Sequence, residues 1–449
     1  MNRRLAVLSP MDLPQKGIAA SGHVAFYAHP IKIDAVTVAL FAWIVVALSS
    51  EINTFYVPYV DWLSLPFILV IASRNARRLR LPICRPSLGA IPLVGIMALT
   101  SMLNNMNVQG LLQATKLSFI FLILCPMIGG ESKFVRVSML SAGFATILNA
   151  VLMVFGRLGL LPTSAEYGAA RWGTVLNLPG PLAFLGLLTF GYGAYGSLQS
   201  KRHKWWYFAV AVSSVYIVLA DGSRTGALCL ILLTVYVACV SLRSRTNRRT
   251  AFRRLLCLTG AVLGVTIIAG GRSTLQTGSG LPVNSRVTKL FEGNTGGIGD
   301  TIQDNDLARY GAMVLAINEI RMHPLWGHGL GSTKYFPDGE TVVVHNAYLQ
   351  SWADLGLLGF LAITLTLLWW VPQLRGAVKS IQKLPFPGLR ALHHGAICGL
   401  FAYSFICLYH PIGVEISDWI HFIIPSSIFH ALLRSAGLAY SPPRKNGAI

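Results

Sequence analysis

Apolar runs of roughly 16 to 20 residues recur from Ala35 to about residue 433, a length that matches the hydrocarbon core of a bilayer. This recurrence constrains the chain more than any motif does. The 449 residues are 53% hydrophobic and only 12% charged, with a mean hydropathy of +0.57, where a soluble domain carries about 25% charged residues. The expected fold is an all-α, polytopic integral membrane protein with about twelve transmembrane helices. The spans are placed at 35–52, 56–73, 88–103, 112–129, 137–156, 181–199, 205–220, 224–242, 255–270, 356–372, 391–409 and 418–433. The first follows a long polar lead with no small-residue cleavage site, so it reads as a retained helix and not a signal peptide.

Charge gives the orientation. In a soluble protein a net charge of +20 would point to nucleic acid; here no nucleic-acid partner is expected, because Lys and Arg collect in cytoplasmic loops. With the N-terminus inside and the spans alternating, the inner segments hold 27 of the 37 basic residues and three of the 17 acids, Asp12, Asp34 and Glu131. Both termini are then cytoplasmic. Ten basic residues have no topological role: Lys116, Arg157, Arg171, Arg224, Arg272, Arg286, Lys289, Arg309, Arg321 and Lys334.

Six of those ten fall in one long outer loop, residues 271–355, between spans nine and ten. The chain is expected to be a single membrane domain, 1–449, with this loop carrying the chemistry. Within it, "DNDLARYGAMVLAINEIRMHP" predicts a helix with Leu307, Tyr310, Val314 and Ile317 on one face, Asp306 as N-cap and Pro324 as its end. "LWGHGLG" predicts a tight turn. None of the seven cysteines lies in that loop, and neither a disulfide framework nor a CxxC metal site is offered. There is no phosphate-binding loop and no nucleotide fingerprint, so no cofactor is expected.

Several residues carry two readings. Asn346 is a helix N-cap, and His345 before it is either a polar interfacial residue or a general base. A helix N-terminus carries partial positive charge, which favours the neutral imidazole able to accept a proton and also attracts anions. Arg224, in the short break "ADGSRTG", either snorkels to the interface or reaches into a cavity and grips a phosphate. Arg309 and Arg321 are solvated charges of the loop helix or a guanidinium fork for a diphosphate, Arg321 being also where a helix C-terminus favours a cation. Arg171 is an interfacial residue or a second anion or sugar contact, and Lys116 snorkels outward or lines a polar cavity. His323 and His328, five apart around a proline with no carboxylate partner nearby in sequence, match a metal motif weakly, and no metal is assigned.

Four pieces in order, "RWGTVLNLPGPLA" (171–183), "SRTGALCLIL" (223–232), "LARYGAMVLAINEIRMHPLWGHGLG" (307–331) and "HNAYLQSWADLGLLGFLAI" (345–363), resemble the O-antigen ligase and polymerase family of bacterial envelope glycan enzymes. One departure is Gly180, where the family often has Asn after the proline. The resemblance implies a metal-independent, inverting glycosyl transfer on the periplasmic face of the bacterial inner membrane. The donor would be a glycan on undecaprenyl diphosphate. The acceptor would be a sugar hydroxyl on lipid A-core in a ligase, the preferred reading. In the alternative, a polymerase of O-antigen or exopolysaccharide, it would lie on another lipid-linked repeat. It implies His345 as base and Arg224 and Arg309 as the diphosphate clamp. The rival class is a secondary transporter, against which stand the position of the long loop and the lack of an internal repeat.

Overall fold

The computed structural model describes residues 34–49, 85–103, 108–162, 165–166, 171–177, 180–201, 203–243, 260, 307–335, 342–384, 386–412 and 416–435. Helix α1 is Ala35–Ser49 and α2 is Arg85–Leu103; α3 runs Val108–Phe119, a π turn Ile120–Leu124, then Cys125–Gly130; α4 is Ser132–Arg157. Strands β1 (Ala165–Glu166) and β2 (Arg171–Trp172) pair antiparallel. Helices α5 (Pro181–Gln199), α6 (Lys204–Asp221) and α7 (Arg224–Arg243) follow, then α8 (Leu307–Met322). A second antiparallel pair, β3 (Lys334–Tyr335) and β4 (Val342–Val343), leads to α9 (Ala347–Leu368), α10 (Leu374–Gln382), α11 (Pro387–Ile406) and α12 (Ile416–Ser435).

Five helical stretches among the described residues are long and apolar enough to cross a membrane: Pro86–Leu103, Gly110–Gly130, Ser132–Arg157, Thr225–Leu242 and Ala347–Gln382. The expected spans at 56–73 and, apart from Gly260, 255–270 lie outside the described residues. The span expected at 356–372 falls on the second piece of Ala347–Leu368, an element that is two helical pieces joined at a kink. The helix breaks and resumes at Gly356, whose φ is +74°, a left-handed conformation that an L side chain adopts only with strain.

The core owes its closeness to small residues. A Cβ on Gly193 would stand 2.6 Å from the Ala211 nitrogen of α6, and one on Gly191 would stand 2.5 Å from Cys398 Cβ of α11. Helix α5 is thereby seated between two neighbours at backbone distance, as small residues permit in membrane bundles. The π turn in α3 has a comparable cause. Pro126 has no N–H to donate, and Phe121 O instead accepts from Ser87 Oγ of α2 at 2.6 Å, so a neighbouring helix re-satisfies a carbonyl at membrane depth.

Three charged groups assigned to the inner side meet at one end of the bundle. Lys133 Nζ lies 3.1 Å from Asp34 and 3.4 Å from Glu131, and Arg434, at the far end of α12, donates to Gly130 O at 2.8 Å. Asp34 also caps α1, accepting from Thr37 N at 2.8 Å. Burial pushes its carboxyl up, but the hydrogen bonds to Thr37 and the Lys133 ammonium more than offset this and hold it below its usual value. The opposite end carries the groups described next.

Candidate active site

Helix α8 forms where the sequence predicts it and stops before Pro324. Its packed face differs from the expected one. Ala312 and Ala316 are buried while Val314 is 37% exposed; two alanines one turn apart let α8 lie close against α9, which larger side chains would not. Ala316 shares a small apolar cluster with Val344 and Ala353, joined by Ile320 and Leu349. Helix α8 and the start of α9 are thus one packed unit.

The turn after α8 is fastened to α9 by Asp354, which is fully buried. Its carboxylate accepts from Gly331 N at 2.7 Å, Thr333 N at 2.9 Å, Ser332 Oγ at 3.3 Å and Gln350 Nε2 at 3.4 Å. Its main-chain oxygen accepts from Gly329 N at 2.8 Å. A Cβ on Gly327 would fall 1.9 Å from that same oxygen, and one on Gly356 would fall 2.2 Å from Leu325 O, so these two glycines permit backbone-on-backbone contact. Pro324 O accepts from Trp352 Nε1 at 3.1 Å and Leu357 N at 3.0 Å. The sequence reading passed over Asp354; a lone carboxylate inside an apolar run was the signal available.

His345 and Asn346 sit at the head of α9. Asn346 is the N-cap, its Oδ1 accepting from Leu349 N at 2.9 Å. Ala347 N donates to Cys407 O at 2.8 Å, tying the helix start to the end of α11. His345 is half-buried, and its Nδ1 lies 2.8 Å from Val343 O. A carbonyl oxygen only accepts, so Nδ1 carries the hydrogen. In the neutral ring the lone pair then falls on Nε2, the tautomer a general base needs. Asn346→Ala should cost about 1 kcal/mol of stability, with Asn346→Ser restoring most of it, as read by thermal denaturation; an unchanged midpoint in the Ala variant would remove the cap from the argument.

The other sequence candidates fall as follows. Arg309 is exposed in the first turn of α8, and Arg321 is exposed in the last turn. Arg224 opens α7 and Arg171 lies in β2, pairing across to Glu166, but the side chains of both lie outside the described residues. Lys116 is half-buried in α3. Arg309 and Arg321 thus stand at opposite ends of α8, about 18 Å apart by helical rise, while His345 and Asn346 stand at the head of α9. Arg157, one of the ten basic residues without a topological role, packs on the Trp172 and Tyr216 rings at 5.2 and 5.7 Å.

Two polar features were not foreseen. Thr174, Asn177 and Asn149 form a buried network, with Asn177 Nδ2 donating to Asn149 Oδ1 at 2.9 Å and Asn149 Nδ2 donating to Ser49 Oγ at 3.0 Å. It pins the segment after Arg171 onto α4 and α1. Asp221, also fully buried, accepts from Gly180 N and from Ala183 N, the latter at 3.2 Å. Asp221 thus joins the "DGSRTG" break that carries Arg224 to the N-terminus of α5.

Residues 208–364 match the family model Wzy_C, described as O-antigen ligase. Over that stretch, about a third of the chain, the protein is similar to the O-antigen ligase family. It runs from α6 into α9 and contains Arg224, Arg309, Arg321, His345, Asn346 and Asp354, while Arg171 and Lys116 lie before it. No curated protein shows significant similarity to the chain. Together with the apolar helices, this similarity points to an integral membrane protein.

Proposed function

We propose that this protein transfers a glycan from a polyprenyl diphosphate to an acceptor sugar hydroxyl on the outer face of the bacterial inner membrane, with lipid A-core as acceptor and undecaprenyl as the lipid. The observation that carries the reading is the His345 tautomer, set by Val343 O at the head of a capped helix, within the stretch similar to the O-antigen ligase family.

The step balances without a cofactor. The acceptor oxygen attacks the anomeric carbon and forms the new C–O bond. The anomeric C–O bond to the diphosphate breaks on the opposite face, with inversion, and the electron pair leaves with the diphosphate. The hydroxyl proton passes to His345 Nε2. A diphosphate is already a good leaving group, so the enzyme chiefly supplies cations for the departing charge, the role given to Arg224 and Arg309. Loss of one charge-assisted hydrogen bond from a bidentate fork removes about 1.5–3 kcal/mol, so Arg224→Lys should lower transfer by at least about tenfold. Wild-type transfer in that variant would assign Arg224 to interfacial snorkelling.

Deletion followed by glycan analysis tests the acceptor. Full-length polymer stranded on undecaprenyl diphosphate is the expected outcome. Single repeats on the carrier or on the core would make the protein a polymerase, which shares the same chemistry. Normal surface glycan in the deletion strain would overturn both.

A further inference from the structure

At the end of α8 the chain brings together three metal-ligating side chains that the transfer step does not use. Glu319 and His323 are one helical turn apart, and His328 returns to them after the "PLWG" turn. Their ligand atoms all lie within 4.8 Å of one another. His328 Nδ1 is 3.8 Å from a Glu319 carboxylate oxygen, and the His323 and His328 rings meet edge to face with centroids 4.6 Å apart. The carboxylate partner missing from the sequence reading is Glu319, four residues before His323, on the same face of the helix.

We propose that Glu319, His323 and His328 bind a borderline divalent transition-metal cation, Zn2+ being the natural occupant. Two imidazoles and one carboxylate suit Zn2+ and its first-row neighbours, whereas Mg2+ and Ca2+ require oxygen ligands. Ligands at about 2.0–2.1 Å from a tetrahedral zinc stand about 3.4 Å apart. Small rotations about side-chain torsions bring the three from their present separation to that spacing, and both His328 and Glu319 have room to rotate, at 48% and 25% side-chain exposure. A water molecule would complete the fourth position.

The backbone that presents these ligands is fixed. Gly327 and Gly329, on either side of His328, are held against Asp354 by close approach and by a hydrogen bond. Glu319 stands on α8 and His323 directly follows its last residue, held there as His323 N donates to Glu319 O at 2.8 Å. The cation would bridge two pieces of chain that both lead to Asp354 and α9, as a staple across the helix end, and would take no part in the transfer itself.

The test uses the full chain, purified in detergent without a polyhistidine tag and stripped with a chelator, with Co2+ as the spectroscopic probe. We expect one tightly bound Co2+ with the strong visible bands of a four-coordinate site, displaced by Zn2+ and not by Mg2+ or Ca2+. His323→Ala and His328→Ala should each weaken binding by more than about 10–100-fold, the loss typical of removing only an outer-shell partner. Zn2+ should raise the thermal midpoint of the wild-type protein and leave that of the His323→Ala/His328→Ala double variant unchanged. Failure of the wild-type chain to bind Co2+, or unaltered Co2+ spectrum and affinity in the double variant, would overturn the site. So would a Zn2+ shift of equal size in both proteins. None of these readouts involves glycan transfer, so the site and the proposed function stand or fall separately.

Discussion

His345→Ala is expected to lower glycan transfer by about 10²–10⁴-fold, the usual contribution of a positioned general base, while the protein remains folded in the membrane. Nothing in the packing predicts collapse. His345 is half-buried, and the elements around it are held by other contacts: Asn346 caps α9, Ala347 N bonds to Cys407 O, and Val344 occupies the small apolar cluster. The measurement is transfer from a lipid-linked donor in membranes containing equal amounts of each protein, with thermal denaturation in detergent as the folding control. Transfer at the wild-type rate by a normally folded Ala variant would end the base assignment and with it the proton path written above.

Asp354→Ala should have the largest effect on stability. Its carboxylate serves two main-chain N–H groups, of Gly331 and Thr333, besides Ser332 and Gln350. A buried donor left without an acceptor costs about 1–3 kcal/mol, and two are stranded together, so a loss of several kcal/mol is expected. Asp354→Asn keeps one acceptor oxygen and should fall between. The transfer rate should follow stability, because the turn that Asp354 holds joins α8, bearing Arg309, to α9, headed by His345. An Ala variant melting with the wild type would mean that the turn is held by its glycines and Pro324 contacts alone.

The helical segments were legible because their cause is local. Apolar runs of bilayer length, Pro324 after α8 and Asn346 before α9 each act within a few residues, and the structure has helices at those places. What escaped was long-range. Asp354 looks like one polar residue in an apolar helix until Gly331 and Thr333 are brought to it from more than 20 residues away. Glu319 is an exception, since it stands only four residues before His323, and His328 completes the group by folding back after Pro324. The inward face of α8 was misjudged for a related reason: hydrophobicity favoured Val314, but proximity to α9 favours alanine.

Gly356 has a consequence for where the chemistry can take place. It is the joint between the piece of α9 that begins beside His345 and the apolar piece that continues the same element, and it is locked under Leu325 and Trp326. Between Ala347 and the joint the helix rises about 14 Å and turns about 100° per residue. The imidazole is therefore carried at a set height and azimuth above the apolar segment, as on a rigid post. Chain length therefore matters in that stretch: one residue added or removed would swing His345 to another side, with no slack segment below it to absorb the change.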